Sequence, residues 1–252
     1  MARKKRRNRR RRKGRFAFLY RLLCVLLILG AVGAALAIFF KAEHIEITGN
    51  SRYTNEEIIA AGGIQQGDNL YMLNKYEIAG NLTSTLPYVE SVRIYRKLPD
   101  TLCLEVRECT EMVGIEQDGK VWLMCHTGKI LEGVEPDAAA NCAAVTGLTL
   151  TDPQPSTPAV AAPENELALR QLLQLLEQLK NKGMLDDVQA IHLEDPHVIT
   201  MRYLDRFNVE LPWNTDFDYK LNFLSAVVEK LEDYEKGTLK LTEDGEAHFI
   251  ME

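Results

Sequence analysis

The feature that most constrains this chain is an apolar run at residues 22–40 that contains no charged side chain. As a helix, a run of this length spans roughly 28 Å, which is close to the hydrocarbon thickness of a bilayer. A helix also satisfies its backbone hydrogen bonds internally, as a lipid environment requires. The run therefore predicts a transmembrane helix at residues 20–40.

Charge is distributed unequally around this run. Residues 1–40 hold twelve Lys and Arg and no Asp or Glu, whereas residues 41–252 hold the other eighteen basic and all thirty-six acidic residues. Basic residues beside a span mark its cytoplasmic side, and opposite charges indicate different surroundings. We expect a basic cytoplasmic tail at residues 1–19 and an extracytoplasmic outer region, which is a single-pass type II topology in the cell membrane.

Two other interpretations of this segment explain less. Ala35-Leu36-Ala37 is similar to a signal-peptidase site, but the apolar run continues to Phe40 and exceeds the roughly 7–15 residues of a signal peptide. Arg-rich runs also occur in nucleic-acid-binding proteins, yet beside a span they serve topology and attraction to anionic lipid. We expect a retained anchor in contact with membrane lipid, and no nucleic-acid partner.

The cysteines leave the disulfide state open. One cysteine, Cys24, lies in the apolar run, and four lie outside it, where they could form two disulfides in any of three connectivities. No pair shows C-x-x-C spacing, and the outer region is long enough to build a core without crosslinks, so free buried thiols are an equal expectation. The four outer cysteines are Cys103, Cys109, Cys125 and Cys142.

The first part of the outer region predicts the element order β-α-α-β-β. The segment from His44 alternates apolar and polar residues, as a half-buried strand does. Thr54 stands three residues before Glu57, the spacing of a capping box at the start of a short helix. A Leu-Pro-Asp turn at residues 98–100 separates two further alternating segments. The predicted strands cover residues 44–48, 89–97 and 101–108, and the second helix covers residues 75–85.

The rest of the chain predicts a β-rich region with two amphipathic helices. Asp118-Gly119 is typical of a two-residue hairpin turn, and Lys236-Gly237 is typical of a helix end. Pro212 predicts that the strand before it ends at an edge or leaves the sheet. The predicted helices cover residues 164–182 and 218–234, and the strands cover residues 112–116, 121–124, 188–193, 198–203, 207–211, 238–242 and 246–251.

No residue pattern in the chain predicts catalysis. His192 and His197 are five residues apart across a predicted strand end, which is not the i, i+4 pair of a helical zinc site. His126 beside Cys125 lacks a second pair of ligands at a fixed spacing. The sequence contains no phosphate-binding loop, dinucleotide fingerprint or nucleophile elbow. We expect a binding protein rather than an enzyme, with no catalytic residue, metal or cofactor.

The ordered motifs after the apolar run resemble a POTRA domain, in particular that of DivIB/FtsQ-type cell division proteins. The second region resembles the β-rich domain that follows POTRA in that family. The resemblance implies an α+β fold: a single transmembrane helix, a POTRA domain (β-α-α-β-β) at residues 42–109, and a mixed, mainly antiparallel β domain with two flanking helices at residues 110–252. The likeness is carried by residues 45–50, 54–63, 67–70, 86–92, 93–102, 145–148, 219–221 and 236–241.

The resemblance also implies a function. Proteins of this family are division scaffolds that hold bitopic partners of the FtsL and FtsB/DivIC type and support a septal peptidoglycan synthase, which implies enrichment at the division septum. In the family, the closing strand of the β domain is the docking edge, so the implied partner-binding residues are Leu239, Leu241, Phe249 and Ile250. The residues alone allow another role, which is that these side chains fill the core. The alternative function is a POTRA-bearing chaperone or protein-export component.

Overall fold

The computed structural model describes residues 14–140, 142–242 and 246–251. It begins with helix α1 (Gly14–Phe39), which is the one described helix long and apolar enough to cross a membrane, within Phe18–Leu36. Large apolar side chains along this helix are exposed on every side, because no other described element covers them. The helix starts earlier than the expected residue 20. Of the expected basic tail at residues 1–19, residues 1–13 lie outside the described residues.

Behind the helix, a three-stranded sheet carries two short helices. The central strand pairs in parallel with the first strand and antiparallel with the second. Thr54 and Glu57 form the predicted capping box, and Gly63 ends the first short helix in the left-handed conformation. The β-α-α-β-β order is therefore confirmed. Its elements are β1 (His44–Thr48), α2 (Asn55–Gly62), α3 (Lys75–Thr85), β2 (Val89–Lys97) and β3 (Thr101–Glu108).

The second region forms a nine-stranded sheet with two longer helices. The strand order is β12-β11-β10-β9-β8-β7-β4-β5-β6. The pairs β4–β7, β7–β8 and β10–β11 are parallel and the other neighbours are antiparallel, so the predicted mixed, mainly antiparallel architecture is confirmed. The elements are β4 (Met112–Gln117), β5 (Lys120–Cys125), β6 (Ile130–Val134), β7 (Ala143–Thr146), α4 (Glu166–Asn181), β8 (Val188–His192), β9 (Val198–Tyr203), β10 (Phe207–Pro212), α5 (Phe217–Val228), β11 (Gly237–Leu241) and β12 (Ala247–Met251).

Helices α4 and α5 share one hydrophobic core with this sheet. Leu172, Leu176 and Leu179 recur at the spacing of one helix face and are completely buried. Leu221 and Leu224 bury the facing side of α5 in the same cluster. Burying a leucine side chain contributes roughly 1.5–3 kcal/mol, so this stripe is the main reason that α4 packs on the sheet.

Helix α5 is shorter than the sequence predicts, because it ends at Val228 rather than at residue 234. The carbonyls of Glu232 and Glu235 accept hydrogen bonds from the Arg206 guanidinium, at 2.6 and 3.2 Å, instead of continuing the helix. The acidic side chains that follow Val228 also oppose the negative end of a helix dipole. Gly237 is therefore not a helix stop but the first residue of β11.

Pro212 is the last residue of β10, one residue beyond the predicted end of that strand, and β10 is an interior strand of the sheet. It pairs with Val198 of β9, whereas the parallel pairing of β10 with β11 stops at Glu210. The missing N–H of the proline thus leaves no gap between β10 and β11. Strands β6 and β7 were not predicted, because they are short and lie beside turn-forming residues.

Candidate partner-binding edge

Strand β12 forms one edge of the nine-stranded sheet. It pairs antiparallel with β11, and no other described strand lies against it. An edge strand presents unpaired backbone N–H and C=O groups, which can accept a further strand from another protein. Residues 243–245, which connect β11 to β12, lie outside the described residues.

The four residues expected at this edge occupy three different environments. Leu239 and Leu241 of β11 are buried in the main core. Phe249 is partly buried and meets Phe207 edge to face, with ring centroids 6.2 Å apart. Ile250 is 52% exposed on the outer strand. The leucines therefore hold β11 in the sheet, and of these four residues only the two on β12 are not fully buried.

Gly237 is a supporting residue that the sequence does not reveal. Its φ of 154° is unfavourable for residues with a side chain, and an added Cβ would collide with the carbonyl oxygen of Ile250. The glycine thus permits the close approach of β12 to β11 at the exposed end of the edge. No sequence pattern indicates this contact, because it joins residues on two strands.

Lys220 also supports the edge, from the buried face of α5. Its side chain is almost completely buried, and its ammonium donates a hydrogen bond to the carbonyl of Thr242, directly after β11. On the face of the sheet that points away from α5, Lys240 of β11 forms an ion pair with Glu210 of β10 at 3.0 Å. One sequence signal could have indicated that Lys220 supports the edge. It is a lysine next to Leu221, on a helix face that is otherwise apolar.

A disulfide between Cys109 and Cys125 joins the segment between the two sheets to the end of β5. Their Cα atoms are 6.2 Å apart, and both side chains are buried. Cys24, Cys103 and Cys142 are free, which resolves the pairing that the sequence left open. Since Cys109 lies between β3 and β4, the crosslink restrains the junction through which β12 is connected to the membrane anchor.

The same disulfide decides the chemistry of the adjacent histidine. The ligand atoms of Cys109, Cys125 and His126 lie within 4.8 Å of one another. Metal binding by cysteine requires thiolates, and the sulfur atoms here are bonded to each other. The His126 Nε2 instead faces a Glu90 carboxylate oxygen at 3.7 Å, across the junction. The arrangement is therefore a structural contact between the two sheets.

Lys129 provides the main polar contact of the junction. Its ammonium donates hydrogen bonds to the carbonyl oxygens of Thr83, Leu86 and Val89, at 2.6, 3.1 and 2.9 Å. These acceptors end α3 and begin β2, so the positive charge also complements the negative end of the α3 dipole. Burial lowers the pKa of Lys129 to about 8.

A second polar contact links Arg52, Tyr88 and Glu132. The Arg52 guanidinium lies 3.7 Å from the centre of the Tyr88 ring and 3.2 Å from a Glu132 carboxylate oxygen. The Tyr88 hydroxyl donates a hydrogen bond to the same carboxylate. Burial, and then this hydrogen bond, raises the pKa of Tyr88 above its usual range. Matched charges thus join the two sheets beside the disulfide.

The other candidate histidines are not brought together. His192 Nδ1 lies 2.8 Å from the Thr146 hydroxyl, whereas His197 is exposed at a turn held by Asp195. A groove of about 620 Å³ lies on the three-stranded sheet, where Arg93 and Glu105 form an exposed ion pair at 3.6 Å. Its lining is typical of a solvated sheet face.

Comparison with known proteins gives matches to two successive domains. Residues 40–108 match the POTRA domain, FtsQ-type, and residues 114–243 match the C-terminal domain of cell division protein FtsQ/DivIB. The chain is 22% identical over 196 residues to cell division protein DivIB of Clostridium tetani, covering 77% of this chain and 72% of that protein. It is 25% identical over 197 residues to cell division protein FtsQ of Geotalea daltonii, covering 77% and 69%.

The chain also shows a likeness to a solved structure. It is the major extracytoplasmic domain of the trans isomer of cell division protein DivIB from Geobacillus stearothermophilus. The sequence identity is 14%, the TM-score is 0.30, and the match covers 50% of this chain and 98% of the other.

Proposed function

The chain belongs to the FtsQ/DivIB family of cell division proteins, and from this premise we propose that it is a membrane-anchored scaffold of the division complex. The observation that carries the proposal is the succession of an FtsQ-type POTRA domain and an FtsQ/DivIB C-terminal domain behind one apolar helix. The described residues supply an open sheet edge, a buried support for it and a crosslinked junction. These features suit binding, so we propose a scaffold rather than an enzyme.

The proposal assigns a place to each segment. Residues 1–19 form the cytoplasmic tail, residues 20–40 cross the cell membrane, and residues 42–109 and 110–252 fold outside the cytoplasm as the POTRA and partner-binding domains. The positive-inside rule supports this orientation, because the basic residues precede the span and the acidic excess follows it. The protein is enriched at the division septum in dividing cells.

The proposed partners are bitopic division proteins of the FtsL and FtsB/DivIC type, whose complex supports the septal peptidoglycan synthase. A partner strand adds to β12, because its outer edge faces no described strand and Ile250 and Met251 are exposed there. Main-chain hydrogen bonds supply affinity in this mode, and alternate side chains supply selectivity. Leu239 and Leu241 contribute by fixing β11, and Phe249 and Ile250 belong to the strand that docks.

The sharpest test compares two charge substitutions on equally exposed apolar residues. Ile250→Glu places a carboxylate on the docking strand, whereas Val160→Glu places one on a loop near the opposite edge of the sheet; the native side chains are 52% and 58% exposed. Ile250→Glu is expected to weaken binding of a purified FtsB/DivIC-type protein about tenfold or more. Val160→Glu is expected to leave binding unchanged. Equal affinities for the two variants would remove β12 from the interface.

Imaging and a truncation test the wider proposal in cells. An N-terminal fluorescent fusion is expected to concentrate at midcell in constricting cells of the source organism. A truncation that removes the chain from Thr238 onward is expected to insert in the membrane but to lose its partners. An even membrane signal, together with normal division after depletion, would argue against a division role and favour the chaperone or export alternative.

A further inference from the structure

The end of α1 and the residue that follows it contact the loop between α2 and α3. The backbone N–H of Leu70 donates to the carbonyl of Phe40 at 2.8 Å, and the Asn69 side-chain amide donates to the carbonyl of Leu36 at 3.2 Å. The rings of Phe40 and Tyr71 meet edge to face, with centroids 5.0 Å apart. This loop therefore lies against the last turn of α1.

The turn between β2 and β3 lies at the same end of the three-stranded sheet. The carbonyl of Asp100 accepts hydrogen bonds from the backbone N–H groups of Glu43 and His44, at 2.9 and 3.2 Å, just after α1. Arg96 connects this turn to the first loop, since its guanidinium donates to the carbonyl of Leu73 at 3.1 Å. Both loops are thus fixed beside the point where the chain leaves the apolar helix.

These two loops and the start of α3 expose four apolar or aromatic side chains, Tyr71, Met72, Tyr76 and Leu98, which we call the membrane-proximal surface. Met72 and Tyr76 are 84% and 87% exposed, and Tyr71 and Leu98 are just over half exposed. Such a concentration of exposed apolar side chains on a small domain indicates contact with another apolar phase. Exposed lysines and carboxylates surround it: Lys41, Lys75, Lys97, Glu43 and Glu77.

The length of α1 sets the height of this surface. From Phe18 to Phe39 the helix rises about 33 Å, slightly more than the roughly 30 Å hydrocarbon thickness of a bilayer. The outer boundary of the hydrocarbon therefore falls near Phe40, which touches Tyr71. Tyrosine rings concentrate at this depth because they bury an apolar body and keep a hydroxyl at the headgroups.

We propose that the membrane-proximal surface lies in the outer headgroup region of the bilayer and seats the POTRA domain on the membrane. The inference rests on the proposed membrane anchor. The surface contacts lipid, because it continues the apolar helix and lies at the depth where a bilayer ends. This contact restrains the POTRA domain relative to the membrane, so the β12 edge is held at a defined height above the membrane.

The test places a tryptophan at three positions in the full-length protein, reconstituted in vesicles with and without lipids brominated near the headgroup end of their acyl chains. Bromine quenches indole fluorescence only at close range. The fluorescence contributed by Met72→Trp is expected to fall about twofold in the brominated vesicles, as for a side chain at the interface. The matched control is Tyr234→Trp, on the β domain, where the native ring is equally exposed and no quenching is expected.

A third variant separates the inference from the anchor on which it rests. Leu29→Trp lies in the middle of α1. If the helix crosses the bilayer, this residue is expected to be quenched in a second set of vesicles, whose lipids are brominated near the ends of their acyl chains. If Leu29→Trp were quenched but Met72→Trp were no more quenched than Tyr234→Trp, the proposed contact of the surface with lipid would be overturned. The membrane anchor would remain supported. Absence of quenching for both Leu29→Trp and Met72→Trp would overturn the anchor as well. If a purified division partner, and not lipid, shielded Met72→Trp from its surroundings, the membrane-proximal surface would contact protein instead of lipid.

Discussion

At the scale of single residues, Lys129 is the strongest polar link between the two sheets. Three carbonyl oxygens of the first sheet's helix and strand surround its ammonium. Acceptors that lose their donor while shielded from water cost about 1–3 kcal/mol. Lys129→Met keeps most of the length of the side chain and removes the donor, so we expect the free energy of unfolding to fall by about 2 kcal/mol. Denaturant unfolding in detergent measures this, with the exposed Lys120→Met as the control that changes little.

The pH dependence of the same residue follows from its lowered pKa. Burial brings the pKa of the folded Lys129 to about 8, whereas the ordinary value is 10.5. Between these two values the folded protein holds fewer protons than the unfolded chain, so stability rises with pH. The stability difference between the native protein and Lys129→Met is expected to grow by roughly 1 kcal/mol from pH 8 to 10.5, after allowance for solvent screening. A difference that is constant or shrinks with pH would contradict this assignment.

At the scale of elements, the disulfide gives the connection between β3 and β5 its stiffness. Cys109 and Cys125 close a loop with a sequence separation of 16, and a crosslink of that size stabilises by about 3 kcal/mol. The double variant Cys109→Ala, Cys125→Ala is expected to unfold at lower denaturant and to be insensitive to reductant. Cys142→Ala removes a free thiol packed nearby and serves as the control. If reductant destabilised the double variant as much as the native protein, the stabilisation would not come from this bond.

Local sequence patterns predicted most of the elements because each pattern has a local physical cause. The capping box at Thr54 and Glu57 is confirmed because both hydrogen bonds form within one turn. The turn at Asp118 and Gly119 is confirmed because both residues adopt the positive φ that such a turn requires. The alternating segments of β1, β2 and β3 are confirmed within the boundaries that the sequence predicts.

Contacts between distant residues could not be predicted in the same way. The end of α5 is set by Arg206, which lies far from Glu232 in sequence and takes its carbonyl. The Cys109–Cys125 pair was one of several possible pairings until the fold placed β5 beside the linker. Of the candidate site, the sequence placed the four residues on the closing hairpin, but only the sheet order shows that Leu239 faces the core while Ile250 is exposed.

At the scale of the whole molecule, one physical path connects the apolar helix to the candidate docking edge. The three-stranded sheet stands next to the end of α1, the junction carries the disulfide and the Lys129 contacts, and the nine-stranded sheet ends at β12. Among the described residues, each of these three connections is short and is made by hydrogen bonds or covalent bonds. A partner bound at β12 is therefore held at a restricted distance from the membrane, which suits a scaffold that positions other proteins.

The large apolar side chains of α1 are exposed around its whole circumference. Its hydrogen bonds with the outer region are made by Leu36 in the last turn and by Phe40 directly after the helix. We expect that replacing residues 18–35 with an unrelated apolar helix of equal length preserves division, measured by cell length after depletion of the native protein. Deleting the span is expected to give long, undivided cells. A replaced span that inserts correctly, as membrane extraction shows, but fails to support division would mean that α1 recognises a specific partner within the bilayer.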